Sequence, residues 1–192
     1  MTKTHDPEDT ELASKFTVRD YENARDVADR NAIAEAIRRR FSERYIWPVS
    51  TKSRHGFTMM AVSCLMIEAL ESFRQGWETS ERQIKSAFCF FFDTAEPFKD
   101  LRGHAQAFYA HVRCGILHQA ETTGGWRIRR DRSPLFDSNR LTVNAERFLQ
   151  NLQQVMNTFC DGLKVAPWGG PEWRNVRNKM NAIAKRCREG VG

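Results

Sequence analysis

The chain has 192 residues, 41% of them apolar, enough for one domain with a real core and one appended element but a squeeze for two full domains. Thirty Lys and Arg against 24 Asp and Glu leave a formal charge of +6, divided into 22 arginines and 8 lysines. The composition speaks against a membrane-spanning or disulfide-framework protein: the longest apolar stretch, Phe57 to Ile67, falls short of the ~20 residues a spanning helix needs, and five cysteines with no CxxC pair fit a reducing cytoplasm. The arginine excess suggests an anionic partner, because the guanidinium fork pairs bidentately with phosphate and stacks on bases.

The first 29 residues carry a net charge of −4, so the remainder is +10. The start, MTKTHDPEDTELASK, has acids where a secretory leader needs a basic region and an apolar run, so secretion is not expected. Residues 1–16 read as a mobile acidic tail, and residues 17–192 as a single domain. Helix should begin near Val18 or Asp20, and Tyr21, Ala24, Ala28, Ala32, Ala36 and Ile37 recur at helical spacing toward Pro48. Arg38, Arg39, Arg40 and Arg44 then suit the negative end of the helix dipole.

After a loop, FTMMAVSCLMIEALESFRQGW is too apolar all round for a surface helix and should be the central one. ERQIKSAFCFFFDTAEPF follows as a short helix that stops before Pro97. FKDLRGHAQAFYAHVRCGILHQAE places Leu101, Ala105, Phe108, Val112, Gly115 and Ile116 on one stripe, a fourth helix ended by Gly124-Gly125. Over about 125–143 the period changes: Trp126, Ile128, Leu141 and Val143 alternate with Arg127, Arg129, Arg130 and Arg140 across a turn, which reads as a two-stranded hairpin. Helix resumes from Asn144 to near Gly162, and a last basic helix runs from about Pro171, suited to a first turn, to Arg188. The fold class is all-α, a helical bundle with a small β insertion.

Few chemical motifs survive inspection. His104, His111 and His118 recur every seven residues, ~10.5 Å apart along a helix, too far to share one ion. No HExxH, Walker loop, GxGxxG or GxSxG occurs. Cys64, Cys89, Cys114 and Cys160 lie in apolar helical stretches, where a small buried hydrophobe is the ordinary role. No metal or cofactor is expected.

What remains is Arg113-Cys114-Gly115-Ile116-Leu117-His118, an Arg-x4-His near the end of the fourth helix. With its surroundings, YAHVRCGILHQAETTGGW, it resembles the HEPN superfamily of ribonucleases and nucleotide-binding bundles, in particular the Arg-x-Gly-Leu-Leu-His form of small bacterial members. The resemblance covers roughly residues 20–165, with Glu68 and Glu71 on the helix that would be second in a four-helix core; the hairpin and the basic terminal helix lie outside it. It implies a HEPN-like bundle of four core helices plus C-terminal helices, and a metal-independent endoribonuclease in which Arg113 and His118 are catalytic. It further implies a homodimer with two such motifs facing each other, and a toxin or defence role restrained by an antitoxin or other regulatory protein. Cys114 stands where members often carry Asn, Asp or His, a polar neighbour that helps orient the site. The alternative it leaves open is a non-catalytic RNA- or nucleotide-binding or protein-interaction module.

The residue types suit the chemistry. Histidine transfers protons near neutral pH, and a guanidinium can hold two phosphoryl oxygens. Five residues of α-helix set the two side chains ~140° apart around the axis, so Arg113 must reach back or a second subunit must complete the site. His111, Cys114 and Tyr109 could line the same groove, and Arg127, Arg129, Arg130 and Arg132 beside Trp126 could track RNA phosphates. Each has a plainer reading: His118 as a helix cap, Arg113 paired with Glu68, Glu71 or Glu121, Tyr109 in packing, the arginines as a solvated strand face.

Overall fold

A computed structural model describes residues 6–50, 55–131 and 133–190. In chain order the elements are β1 (Glu11–Ala13), β2 (Phe16–Thr17), α1 (Val18–Asp26), α2 (Arg30–Phe41), α3 (Gly56–Gln75), α4 (Ile84–Thr94), α5 (Ala105–Phe108), α6 (Cys114–Gln119), β3 (Arg127–Arg129), β4 (Phe136–Asp137), β5 (Thr142–Asn144), α7 (Ala145–Val165) and α8 (Pro171–Arg188). The chain is mostly helical, in keeping with the all-α expectation. Where one domain over 17–192 is expected, contacts group into two compact units. One comprises residues 1–44, 72–79 and 156–192; the other comprises 45–71 and 80–155. The divisions fall within α3 and α7, so neither unit is a contiguous segment.

The first unit begins where a mobile tail is expected, and for residues 6–16 that expectation is corrected; residues 1–5 lie outside the described residues. Pro7–Asp9 form a 3-10 turn, β1 pairs antiparallel with β2, and Leu12, Ala13 and Phe16 are buried. The apolar trio supplies the anchoring that the acidic composition hides, and the acids are occupied locally: Asp6 and Asp9 pair with Arg19, Glu8 with Arg188. Arg39 and Arg40, read from sequence as dipole partners, donate to the carbonyls of Ser14 and Leu12.

Thr17 caps α1 through a reciprocal box. Its hydroxyl accepts from the Asp20 N–H at 3.2 Å, and the Asp20 carboxylate accepts from the Thr17 N–H at 2.9 Å. The helix expected to run on toward Pro48 instead breaks at Ala28, whose φ is +55°, and restarts at Arg30. Asp29 causes the restart: its carboxylate accepts from the Ala32 N–H at 3.0 Å, a strong cap inside an otherwise helical stripe. Tyr21 on α1 is fully buried and donates to Asn181 Oδ1 at 2.8 Å, and Trp173 on α8 donates to the Leu163 carbonyl at 2.9 Å.

The second unit is built on aromatics. Phe88, Phe91 and Phe92 of α4, Phe98, Phe108 of α5 and Phe148 of α7 are fully buried, with ring centroids of neighbouring pairs 4.8–6.4 Å apart. Trp126 and Phe136 stack at 5.4 Å, and His104 lies edge-on to Phe136 at 4.9 Å, so this histidine packs. The insertion differs from the expected two-stranded hairpin. β5 is the centre of three strands, antiparallel to β4 and parallel to β3, with Ile128 beside Val143. Alternation identified the buried positions but not strand direction, because a period of two is the same for either sense. Asn144 fixes the arrangement: its amide donates to the Asp131 carbonyl at 2.7 Å, and its oxygen accepts from the Glu146 and Arg147 N–H groups at 3.1 Å, capping α7.

α3 is the one helix among the described residues with the length and composition to cross a membrane, more than the apolar run suggests, and 61% of its most apolar 18-residue stretch is buried inside the fold. That burial is the signature of a core helix.

Burial pushes the Tyr21 phenol up to about 12, so its contribution is complete below the ordinary value of ~10 and is lost as pH rises through 12. Comparing wild type with Tyr21→Phe by denaturant unfolding, we expect a stability advantage at pH 9 that shrinks by on the order of 2–3 kcal/mol toward pH 12; a constant difference would contradict this.

Candidate functional site

The segment expected as one helix, Phe98–Glu121, is instead a succession of short helical pieces, and the backbone of Phe98 itself is non-helical (φ −116°, ψ 16°). A 3-10 stretch leads into α5, Tyr109–Arg113 widen into a π turn, and α6 resumes at Cys114. The Cys114 N–H donates to the Tyr109 carbonyl, five residues back. Such single π turns inside helices recur at functional sites.

The π turn sets Arg113 against α3. Its side chain is 11% exposed, with Nε donating to Glu68 Oε1 at 2.8 Å and one terminal nitrogen to Oε2 at 3.4 Å. Of the three acids considered from sequence, Glu68 is the partner. The Arg113 carbon Cζ lies 5.8 Å from the centre of the Tyr109 ring. Burial works against the Arg113 charge, but the hydrogen bonds and charge of Glu68 outweigh it, and the guanidinium is held above its ordinary pKa. Burial first, and then the Cys114 contact, push the Tyr109 phenol up, so it stays neutral near pH 7. Cys114 is half-buried, and all five cysteines are free thiols.

The structure thus brings Tyr109, Arg113 and Cys114 together with Glu68. His118 is exposed on the last turn of α6, ~140° around the axis from Arg113 by helical phase. His111 is half-buried, with Nδ1 2.9 Å from the Thr123 hydroxyl, while the Thr123 N–H donates to the His111 carbonyl at 3.0 Å. His111 is thereby committed to holding the following loop.

That loop explains the glycines of the motif. A Cβ on Gly115 would stand 2.5 Å from the Glu121 carbonyl, and one on Gly124, at φ +59°, would stand 2.6 Å from His111 Nδ1. The chain folds back on α6 so tightly that only glycine fits, and this return carries Trp126 into the aromatic core and starts β3. Thr123 has no signature in the sequence beyond its place between the helix and Gly124. Arg127 and Arg129 are exposed on one side of β3, as alternation requires, with Ile128 on the other. Arg130 is paired with Glu146. Arg132 lies outside the described residues. Among the described residues no three His, Cys, Asp or Glu side chains are grouped to hold a metal ion.

Comparisons of the chain with protein-family models, curated proteins and solved structures found no match.

Removing one member of a buried ion pair leaves the other charge uncompensated. Glu68→Ala should destabilise the protein by about 3–5 kcal/mol in urea unfolding, and replacing both Glu68 and Arg113 with methionine should cost less than Glu68→Ala alone. A double replacement as damaging as the single one would overturn this account of the pair.

Proposed function

We propose that the protein is a metal-independent endoribonuclease of the HEPN type, working as a homodimer in the cytoplasm. The observation that carries the reading is the division of labour at the motif: an exposed imidazole, His118, on the same short helical segment as a guanidinium that Glu68 holds in a fixed position. Preorganised charge of this kind favours a transition state in which negative charge develops on phosphoryl oxygens. Glu68 engages Nε and one terminal nitrogen of Arg113, and the other terminal nitrogen carries further N–H donors.

In the reaction, His118 takes the proton of a ribose 2′-hydroxyl, and the 2′-oxygen attacks the adjacent phosphorus. The bond to the 5′-oxygen breaks, and that oxygen receives a proton from an imidazolium. The products are a 2′,3′-cyclic phosphate and a 5′-hydroxyl. Arg113 offsets the charge gained by the phosphorane. Arg127 and Arg129 present an exposed cationic strand face for the RNA backbone.

The dimer reading has independent support in α3. Thr58, Ala61, Val62, Leu65 and Ala69 recur at helical spacing and are all exposed or half-exposed, so the helix turns an almost wholly apolar stripe outward. Leu65 is one turn before Glu68. A second copy packed on this stripe would cover it.

A second reading, a non-catalytic RNA- or nucleotide-binding module, is favoured by the burial of Arg113 and its engagement by Glu68. RNA incubated with the protein in excess chelator separates the two. We expect 2′,3′-cyclic phosphate ends, and His118→Ala should lower the cleavage rate about 10²–10⁴-fold. Retained cleavage in that variant would remove His118 from the mechanism, and RNA binding without cleavage by the wild type would select the binding module. Leu65→Glu should shift a dimer to monomer in sedimentation; an unchanged sedimentation coefficient would dissociate the stripe from assembly.

A further inference from the structure

In the first unit, residues 6–16 are fastened to arginines on three helices. Asp6 and Asp9 accept from Arg19 of α1 at 2.8 and 3.3 Å. Glu8 accepts from Arg188 of α8, whose guanidinium also meets Glu22 of α1. The carbonyls of Leu12 and Ser14 accept from Arg40 and Arg39 of α2. None of these four arginines belongs to the proposed chemistry at Arg113 and His118.

The segment reverses the sign of the surface it lies on. Beneath it Glu22 and Glu43 are the acids beside the four arginines, Glu43 accepting the Ser14 N–H at 3.1 Å. Without the segment, that surface is cationic. With it, Asp6, Glu8 and Asp9 are what solvent meets, while Glu11 and Lys15 carry opposite charges within the segment itself.

The hold on the segment is light for so many contacts. Arg19 and Asp6 each remain about half exposed, at 52% and 51%, and ion pairs in that setting contribute little to stability. The apolar hold is Leu12, Ala13 and Phe16, on two strands of three and two residues. Segments near a chain end open at lower free energy than the fold as a whole, so this one can lift while the helices beneath it persist.

We propose that residues 6–16 are an intramolecular cover over an arginine surface, formed by Arg19, Arg39, Arg40 and Arg188, that binds the phosphodiester backbone of RNA. A guanidinium fork serves carboxylate and phosphate alike, so the covering acids and carbonyls occupy donors that phosphates take when the segment lifts. Naming the polyanion as RNA rests on the function proposed above; the cover itself rests on the contacts of the segment.

Fluorescence anisotropy with a labelled short oligouridylate tests the cover in full-length His118→Ala protein with excess chelator, where cleavage plays no part. Asp6→Asn with Glu8→Gln should bind the probe about tenfold or more tightly than the parent at low salt. The slope of log affinity against log salt should steepen by ~1.4, the equivalent of two further phosphates. Asp93→Asn with Asp100→Asn, at exposed acids of the second unit, removes the same charge and should leave the slope unchanged. Adding Arg39→Gln to the uncovered variant should return most of its gain. Hydrogen exchange over residues 11–17 should quicken in the uncovered variant, and thermal melts confirm that the remainder stays folded.

Equal affinity of parent and uncovered protein, or an equal gain in the Asp93 and Asp100 control, overturns the cover. A gain for the matching deoxyoligonucleotide alone keeps the cover and overturns RNA as its ligand. Cleavage by wild type combined with no gain on uncovering leaves the nuclease reading standing and removes this one.

Discussion

The buried pair between Glu68 and Arg113 is the constraint around which the candidate site is organised. An arginine taken from water costs several kcal/mol unless its charge is answered, and here the answer comes from α3, forty-five residues earlier in the chain. The pair ties the π turn to the most buried helix of the fold. It also removes freedom from Arg113: a guanidinium so held cannot swing toward a ligand, so whatever it does it does from a fixed position. His118 has the opposite character, exposed to solvent at a helix end.

A second constraint, the return of residues 120–126 onto α6, links that pair to the rest of the second unit. Gly115 and Gly124 make the approach sterically possible, Thr123 and His111 tie it down, and Trp126 is delivered to the aromatic core. The strand beginning at Arg127 takes its place from this return, so the exposed arginines of β3 inherit their position from two glycines and a histidine. Much of the conspicuous motif is thus architectural. Its glycines satisfy sterics and His111 anchors a loop, which leaves Arg113 and His118 as the residues on which the proposed chemistry rests.

The helices were legible because their apolar spacing is long and regular. α3, α4, α7 and α8 lie close to where periodicity, Pro97 and Pro171 set them. Sequence pattern and structure differ where a short local signal competes with a long stripe. Asp29 is a better cap than its neighbours are helix formers, so the first helix became two. Leu12, Ala13 and Phe16 are few among many acids, so composition suggests a tail where an ordered strand pair stands.

Residue identities alone determined the helical class, the apolar core positions, and the candidate pair Arg113 and His118, since burial and proton chemistry are properties of side chains and their spacing. Strand direction in the insertion, the choice of Glu68 over Glu71 and Glu121, and the seating of Glu8 on Arg188 were decided only by tertiary structure. Each depends on which distant segments meet, and pairing across tens of residues leaves no local pattern. Periodicity reports which face of an element is buried, and the partner pressed against that face is set by packing of the whole chain.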